Sequence, residues 1–190
     1  MEREILLTGI GGQSVQLAAQ ILARAATREQ RHVLYLGSYG GSMRGGNTDS
    51  TIVVGDAPLT TPPIVSHTWG ALVMHHAFYA PLRKKLRPDS VVLVNTSVFE
   101  GDLGCDTQRV YELPASQLAQ ELGNPLSASL LMLGAFAGLT GLVGLDALLD
   151  GMRESVPAYR SQHLEANERA LRAGFERVAL EVPAWEGHAA

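Results

Sequence analysis

Seven residues near the start, Thr8-Gly9-Ile10-Gly11-Gly12-Gln13-Ser14, constrain the fold more than any other part of the chain. They separate a short apolar run, Glu4 to Thr8, from a stretch in which Val15, Ala18, Ala19, Leu22, Ala25 and Ala26 recur at helical spacing. The run reads as a buried strand and the glycines as a tight turn. The stretch reads as a helix with Ser14 as its N-cap. His32 to Leu36 reads as a second strand. Strand, turn, helix and strand within about 35 residues make a βαβ unit, and such crossovers are nearly always right-handed.

Further strands are expected at Thr48 to Val54, Ala71 to Met74, Ser90 to Val94 and Gln108 to Leu113. Ala57 to Pro63, with three prolines, is a rigid connector. A helix over Ala77 to Leu86 would be interrupted early by Pro81. The rest reads as helical. Pro114 opens a helix over Ala115 to Leu122, which Gly123 ends. Leu126 to Val143 is apolar on nearly every face, so it is buried in the core or against another subunit. Its Gly134, Ala135, Gly138 and Gly141 would let another backbone approach closely. A polar helix over Gln162 to Leu180 follows. The expected fold class is α/β: an open, mostly parallel sheet with flanking helices, a Rossmann-like βαβ start and a helical C-terminal part. Residues 1–182 form one domain and 183–190 a flexible tail.

Composition narrows the function classes. Of 190 residues, 46% are hydrophobic and 18% charged, which excludes wholesale disorder. A net charge of −4 points neither to nucleic acid nor to an anionic membrane. One cysteine, Cys105, excludes an internal disulfide and an iron–sulfur cluster held by this chain alone. The longest apolar-rich stretch, Leu130 to Leu145, is interrupted by glycines and falls short of the roughly 20 residues that span a bilayer. The N-terminus lacks the basic start and long apolar core of a secretory signal. The chain reads as cytoplasmic and soluble.

Two segments are candidates for binding. At the first turn, Gly9, Gly11, Gly12, Gln13 and Ser14 would bring amide N–H groups and a helix N-terminus to a phosphate-like ligand. The G-x-G-x-x-G pattern fails at Ser14, and no acidic ribose ligand follows the second strand, so a nicotinamide dinucleotide role is disfavoured. A turn required only for folding is the simpler reading. In the second segment, Gly37 to Asn47, Tyr39 and Met43 are the only large apolar residues and Arg44 the only permanent charge. The segment is either a mobile connector or a contact surface built on Tyr39, Met43, Arg44, Gly45 and Gly46. His75 and His76 would point to opposite faces and make a poor chelate, so no metal site is expected. Cys105 has no base nearby in sequence and is a weak nucleophile candidate. No catalytic residue is assigned.

Taken together, the chain resembles the gamma subunit, or gamma domain, of the 2-oxoacid:ferredoxin oxidoreductases, which act on pyruvate, 2-oxoglutarate, 2-ketoisovalerate or indolepyruvate. The resemblance rests on Gly9 to Gln13 before Ala18-Ala19-Gln20-Ile21-Leu22-Ala23, and on Ser38-Tyr39-Gly40 through Met43-Arg44-Gly45-Gly46. It rests further on Leu133-Gly134-Ala135, and on Glu165-Ala166-Asn167 with Gly174. The chain departs from the family pattern at Ser14, at Gly41-Ser42, and at Ser127 or Ala128. The resemblance implies a non-autonomous subunit that helps shape a shared active site. Thiamine diphosphate, Mg and iron–sulfur clusters would then sit on partner chains, with electrons leaving to ferredoxin and the acyl group passing commonly to coenzyme A. The resemblance also implies that the gamma part faces the coenzyme A side. The competing expectation is a stand-alone nucleotide- or coenzyme A-binding module using the glycine turn.

Overall fold

The computed structural model describes residues 1–39, 45–60 and 64–185. Six strands form one sheet: β1 (Glu2–Ile10), β2 (His32–Tyr39), β3 (Asn47–Gly55), β4 (Thr68–Val73), β5 (Leu86–Asn95) and β6 (Arg109–Leu113). Their spatial order is β2-β3-β1-β4-β5-β6. Strand β3 runs antiparallel to both neighbours, and β1, β4, β5 and β6 pair in parallel. The first crossover, β1 through α1 (Val15–Arg28) to β2, therefore skips one strand position, which β3 fills.

Apolar runs on the central strands follow from burial on both faces. Ile5, Leu7, Ile52, Leu72, Val91 and Leu93 face the larger core. Leu6, Val53, Ala71, Val73, Val92 and Val94 face a thinner layer built around Val65, Tyr79 and Leu82. The thick side carries α1, α3 (Ala115–Glu121), α4 (Ala128–Thr140), α5 (Leu145–Ser155) and α6 (Leu164–Phe175). On the thin side a 3-10 turn, His76–Phe78, precedes the single helix α2 (Tyr79–Arg83). That layer leaves Leu36 at 40% exposure and Ile64 at 75%.

Every residue of α4 is buried, and its own chain buries it. A Cβ built on Gly134 would lie 2.1 Å from the Leu171 carbonyl oxygen; one on Gly174 would lie 2.0 Å from that of Leu131. Glycines on each helix thus admit the backbone of the other. The expected close approach is real, but the neighbour is α6, and no second subunit is needed to cover the helix.

Several boundaries differ from those expected. The helix over Ala77 to Leu86 shrinks to Tyr79–Arg83, and Leu86 starts β5. Pro81 sits in the first turn of α2, where its missing N–H costs no hydrogen bond. The last helix ends at Phe175 rather than Leu180. Leu145–Ser155, not singled out from the sequence, is a separate helix because Gly141, at φ 57, ends α4. The flexible tail expected from residue 183 is docked through 185: Ala184 N–H donates to Thr140 O at 2.7 Å and Trp185 Nε1 to Leu142 O at 3.0 Å. Residues 186–190 lie outside the described residues. Among the described residues, no helix is long and apolar enough to cross a membrane.

Candidate functional site

The glycine turn lies at the carboxyl end of β1, beside β3 and β4, where open α/β sheets place their ligands. The strand pairing runs straight into it. Gly11 N–H donates to Gly46 O at 2.8 Å, and Gly45 N–H donates back to Gly11 O at 3.3 Å. Two segments more than thirty residues apart in sequence therefore form one surface. Met43 and Arg44 lie outside the described residues. Tyr39 ends β2 opposite Thr48.

Within the turn, the five candidate residues divide by role. Gly9 serves packing: a Cβ there would come within 2.7 Å of Gln13 Oε1 and 2.8 Å of Val15 Cγ2. Gln13 serves as a staple. Its Oε1 accepts from Ile10 N–H at 3.0 Å, and its Nε2 donates to Met74 O at 3.3 Å. That amide is thus tied to backbone on both sides. Gly12, at φ 105, is exposed, and a Cβ there would meet nothing within 4 Å. Ser14 occupies the N-cap position of α1, but at φ 57 and without a side-chain cap bond. Its capping role is thus corrected. The first-turn N–H groups of α1 have no intrahelical acceptor, and no side chain among the described residues supplies one.

Gly12 and Ser14 open onto a cleft of about 720 Å³, within the size range of small-molecule sites. Its opposite wall carries Leu126, Arg160, His163 and Asn167. The cleft unites the glycine turn with the start of α6, two segments that the sequence marked separately. Arg160 and His163 escaped sequence reading because they lie in a polar 3-10 stretch, Ala158–His163, with no apolar period. Polar atoms also stand idle around the turn and in β3: among the described residues, Gln16 Nε2, Asn47 Oδ1 and Ser50 Oγ are buried without a hydrogen-bond partner. Such groups cost about 1–3 kcal/mol each when left unpaired.

Below the turn, Thr8 Oγ1 donates to Asp49 Oδ1 at 2.7 Å, and Asn47 Nδ2 to Asp49 Oδ2 at 2.8 Å. This ties β1 to β3 under the surface. His75 and His76 follow β4 and do not splay as expected, because the chain has already left the strand. Their ring centroids are 4.5 Å apart. His75 Nδ1 accepts from Ala77 N–H at 3.1 Å, and His76 Nδ1 lies 3.0 Å from Val98 O, which can only accept. Burial, and then the neighbouring His76, hold His75 below the usual imidazole value, with Glu100 opposing. Among the described residues, no three His, Cys, Asp or Glu side chains are grouped to hold a metal. Cys105 Sγ sits 3.2 Å from the Tyr79 hydroxyl, whose pKa burial raises, so this neighbour is no base for the thiol.

Comparison with known proteins gives concordant matches. The sequence pattern of the pyruvate ferredoxin/flavodoxin oxidoreductase family matches residues 4–177. The chain is 31% identical over 185 residues to the 2-oxoglutarate synthase subunit KorC of Methanocaldococcus jannaschii, covering 96% of each. It is 30% identical to the pyruvate synthase subunit PorC of Methanothermobacter marburgensis, covering 92% of this chain and 97% of that one. The crystal structure of the pyruvate oxidoreductase subunit PORC of Thermotoga maritima superposes with a TM-score of 0.74 at 26% identity, over 92% of this chain and 96% of that one.

Proposed function

We propose a function from one premise: the chain belongs to the pyruvate ferredoxin/flavodoxin oxidoreductase family, as a gamma-type subunit. In this reading it is a non-autonomous part of a 2-oxoacid:ferredoxin oxidoreductase. The complex decarboxylates a 2-oxoacid oxidatively, sends electrons to ferredoxin and passes the acyl group to coenzyme A. The carrying observation is the reciprocal hydrogen bonding of Gly11 with Gly45 and Gly46, which makes one surface of two otherwise unexplained glycine-rich segments. The idle amide of Gln16 and the Asn47 oxygen beside that surface favour a partner that completes it. The exposed Leu36 and Ile64 favour a second contact on the thin face of the sheet.

The iron–sulfur clusters do not fit on this chain. One cysteine cannot hold a four-cysteine cluster. We therefore assign the clusters, and with them thiamine diphosphate and its Mg, to partner chains. Coenzyme A is a different case. The cleft beside Gly12 offers uncapped helix N–H groups together with Arg160 and His163, a donor set suited to phosphate. We place the coenzyme A contact there. The 2-oxoacid is left at its class, because relatives named for 2-oxoglutarate and for pyruvate match at 31% and 30% identity.

Co-expression with the neighbouring genes tests this reading. The chain should co-purify with thiamine- and cluster-bearing subunits. Omitting it should abolish 2-oxoacid-dependent reduction of ferredoxin. A chain that stays alone, binds a nucleotide by itself and leaves the activity of the other subunits unchanged would return the stand-alone binding module.

A further inference from the structure

At the opposite end of the sheet, the amino ends of β1, β4, β5 and β6 line a cleft of about 520 Å³. Three arginines face it: Arg3 from β1, Arg87 from β5 and Arg109 from β6. Among the described residues, Glu4 forms an ion pair with one of them: its Oε2 lies 2.5 Å from Arg87 Nη2. Asp89 sits at the rim and makes no ion pair or side-chain hydrogen bond among the described residues.

Arg3 is the fixed member of the set. Its Nε donates to Ala184 O at 2.7 Å, and its guanidinium carbon lies 4.7 Å from the centre of the Trp69 ring. The docked C-terminal segment and the indole thus hold the planar group, while its two terminal nitrogens have no partner among the described residues. Burial, and then the charge of Arg87, lower the Arg3 pKa, with Glu4 and Asp56 opposing. The side chain of Arg109, exposed on edge strand β6, also makes no ion pair or hydrogen bond among the described residues. A guanidinium fixed in place with its outer fork free is prepared for bidentate recognition of an oxyanion.

We infer that the cleft between Arg3, Arg87 and Arg109 binds a small molecule carrying a multivalent oxyanion, phosphate or carboxylate. Arg3 and Arg109 grip the anion from two sides. Arg87, already paired with Glu4, supplies field rather than a free fork. The site does not depend on the proposed role of the glycine turn.

Thermal unfolding of the full chain, titrated separately with pyrophosphate and malonate at ionic strength matched with sodium chloride, tests this. At least one should raise the midpoint saturably, and which one does so identifies the anion class. Arg109→Gln should weaken that response by about tenfold, the effect of losing roughly one charged hydrogen bond. Arg109→Lys should be intermediate. Arg28→Gln, at a surface ion pair with Glu154, is the control and should change nothing. A response no larger than that to chloride, or one equal in wild type and Arg109→Gln, overturns the inference. So does an Arg109→Gln chain that loses subunit assembly but keeps the pyrophosphate response, which would make the cleft a seat for an acidic protein segment.

Discussion

Replacing Gly174 by alanine sets two effects in the same helix against each other. Alanine is a better helix former than glycine by about 1 kcal/mol, so an exposed site would gain that much. At Gly174 the new methyl would lie 2.0 Å from the Leu131 carbonyl oxygen and 2.9 Å from Ala135 N. The first distance falls roughly 1.4 Å short of ordinary contact. Both obstacles are backbone, so neither can swing aside as a side chain would. Helices α4 and α6 must separate along a seam in which α4 is wholly buried. Overpacking of this kind costs about 1–3 kcal/mol, and more where the backbone must move. With both obstacles in the backbone the cost lies at the top of that range, about 3 kcal/mol, so the net expectation is a loss of about 2 kcal/mol, or roughly 4–8 °C in thermal midpoint for a domain of this size. Gly134→Ala should behave alike, with its methyl 2.1 Å from Leu171 O. The double variant should lose less than the two singles added, because the separation forced by one makes room for the other. Because Asn167 near the start of α6 lines the cleft beside Gly12, the same shift should weaken the coenzyme A contact proposed there. Differential scanning calorimetry decides the matter. A midpoint for Gly174→Ala above that of wild type would refute the tight seam and leave helix propensity alone in control.

Gly12→Val forces φ 105 on a β-branched residue and should cost about 1–3 kcal/mol through the backbone alone, since the space around it is open. Activity of the assembled complex should fall further than that stability loss explains, as turnover measured beside the midpoint would reveal. Gln13→Ala frees Ile10 N–H and Met74 O and should cost about 1–3 kcal/mol in denaturant unfolding. His75 has a lower pKa folded than unfolded, so its contribution is complete above the unfolded value of about 6.5 and is lost as pH falls through it toward the folded value. His75→Asn, which keeps an acceptor for Ala77 N–H, should therefore show a smaller fall in stability on acidification than wild type. Arg44→Ala should leave the isolated subunit folded and lower assembly of the complex, with Arg44→Lys intermediate. Normal turnover in that complex would return the segment to a mobile connector.

The sheet was legible because its strands are short, apolar and bounded by glycine, proline and asparagine; all six expected strands are present, four of them longer at one or both ends, with β4 shifted toward its start and β6 one residue shorter. Strand order was not legible. Nothing in the run from Thr48 to Val54 says that it enters between β1 and β2 and runs antiparallel, since β-branched residues suit either direction. The apolar helix was recognised by composition, but its neighbour was not. Gly134 and Gly174 lie forty residues apart, and only the fold shows that each occupies the gap in the other's helix.

That difference between composition and placement also decides how the glycine-rich turn is understood. Read along the sequence, Gly9 to Ser14 looks like one ligand-binding motif. In space its members have separate tasks. Gly9 yields room for Val15 and Met74, Gln13 fastens β1 to β4, and Gly11 carries the strand pairing on to Gly46. Only Gly12 and Ser14 face the cleft. Most of the motif thus has a task in folding, and this accounts for how the pattern can lose its third glycine without losing the turn. Ser14 meets the steric demand at φ 57 at a modest cost that glycine would avoid. In return it places a hydroxyl-bearing side chain on the cleft wall, where glycine would leave none. Ser14→Gly should thus stabilise the isolated chain slightly while altering what the cleft binds, a separation that a purely structural turn would not produce.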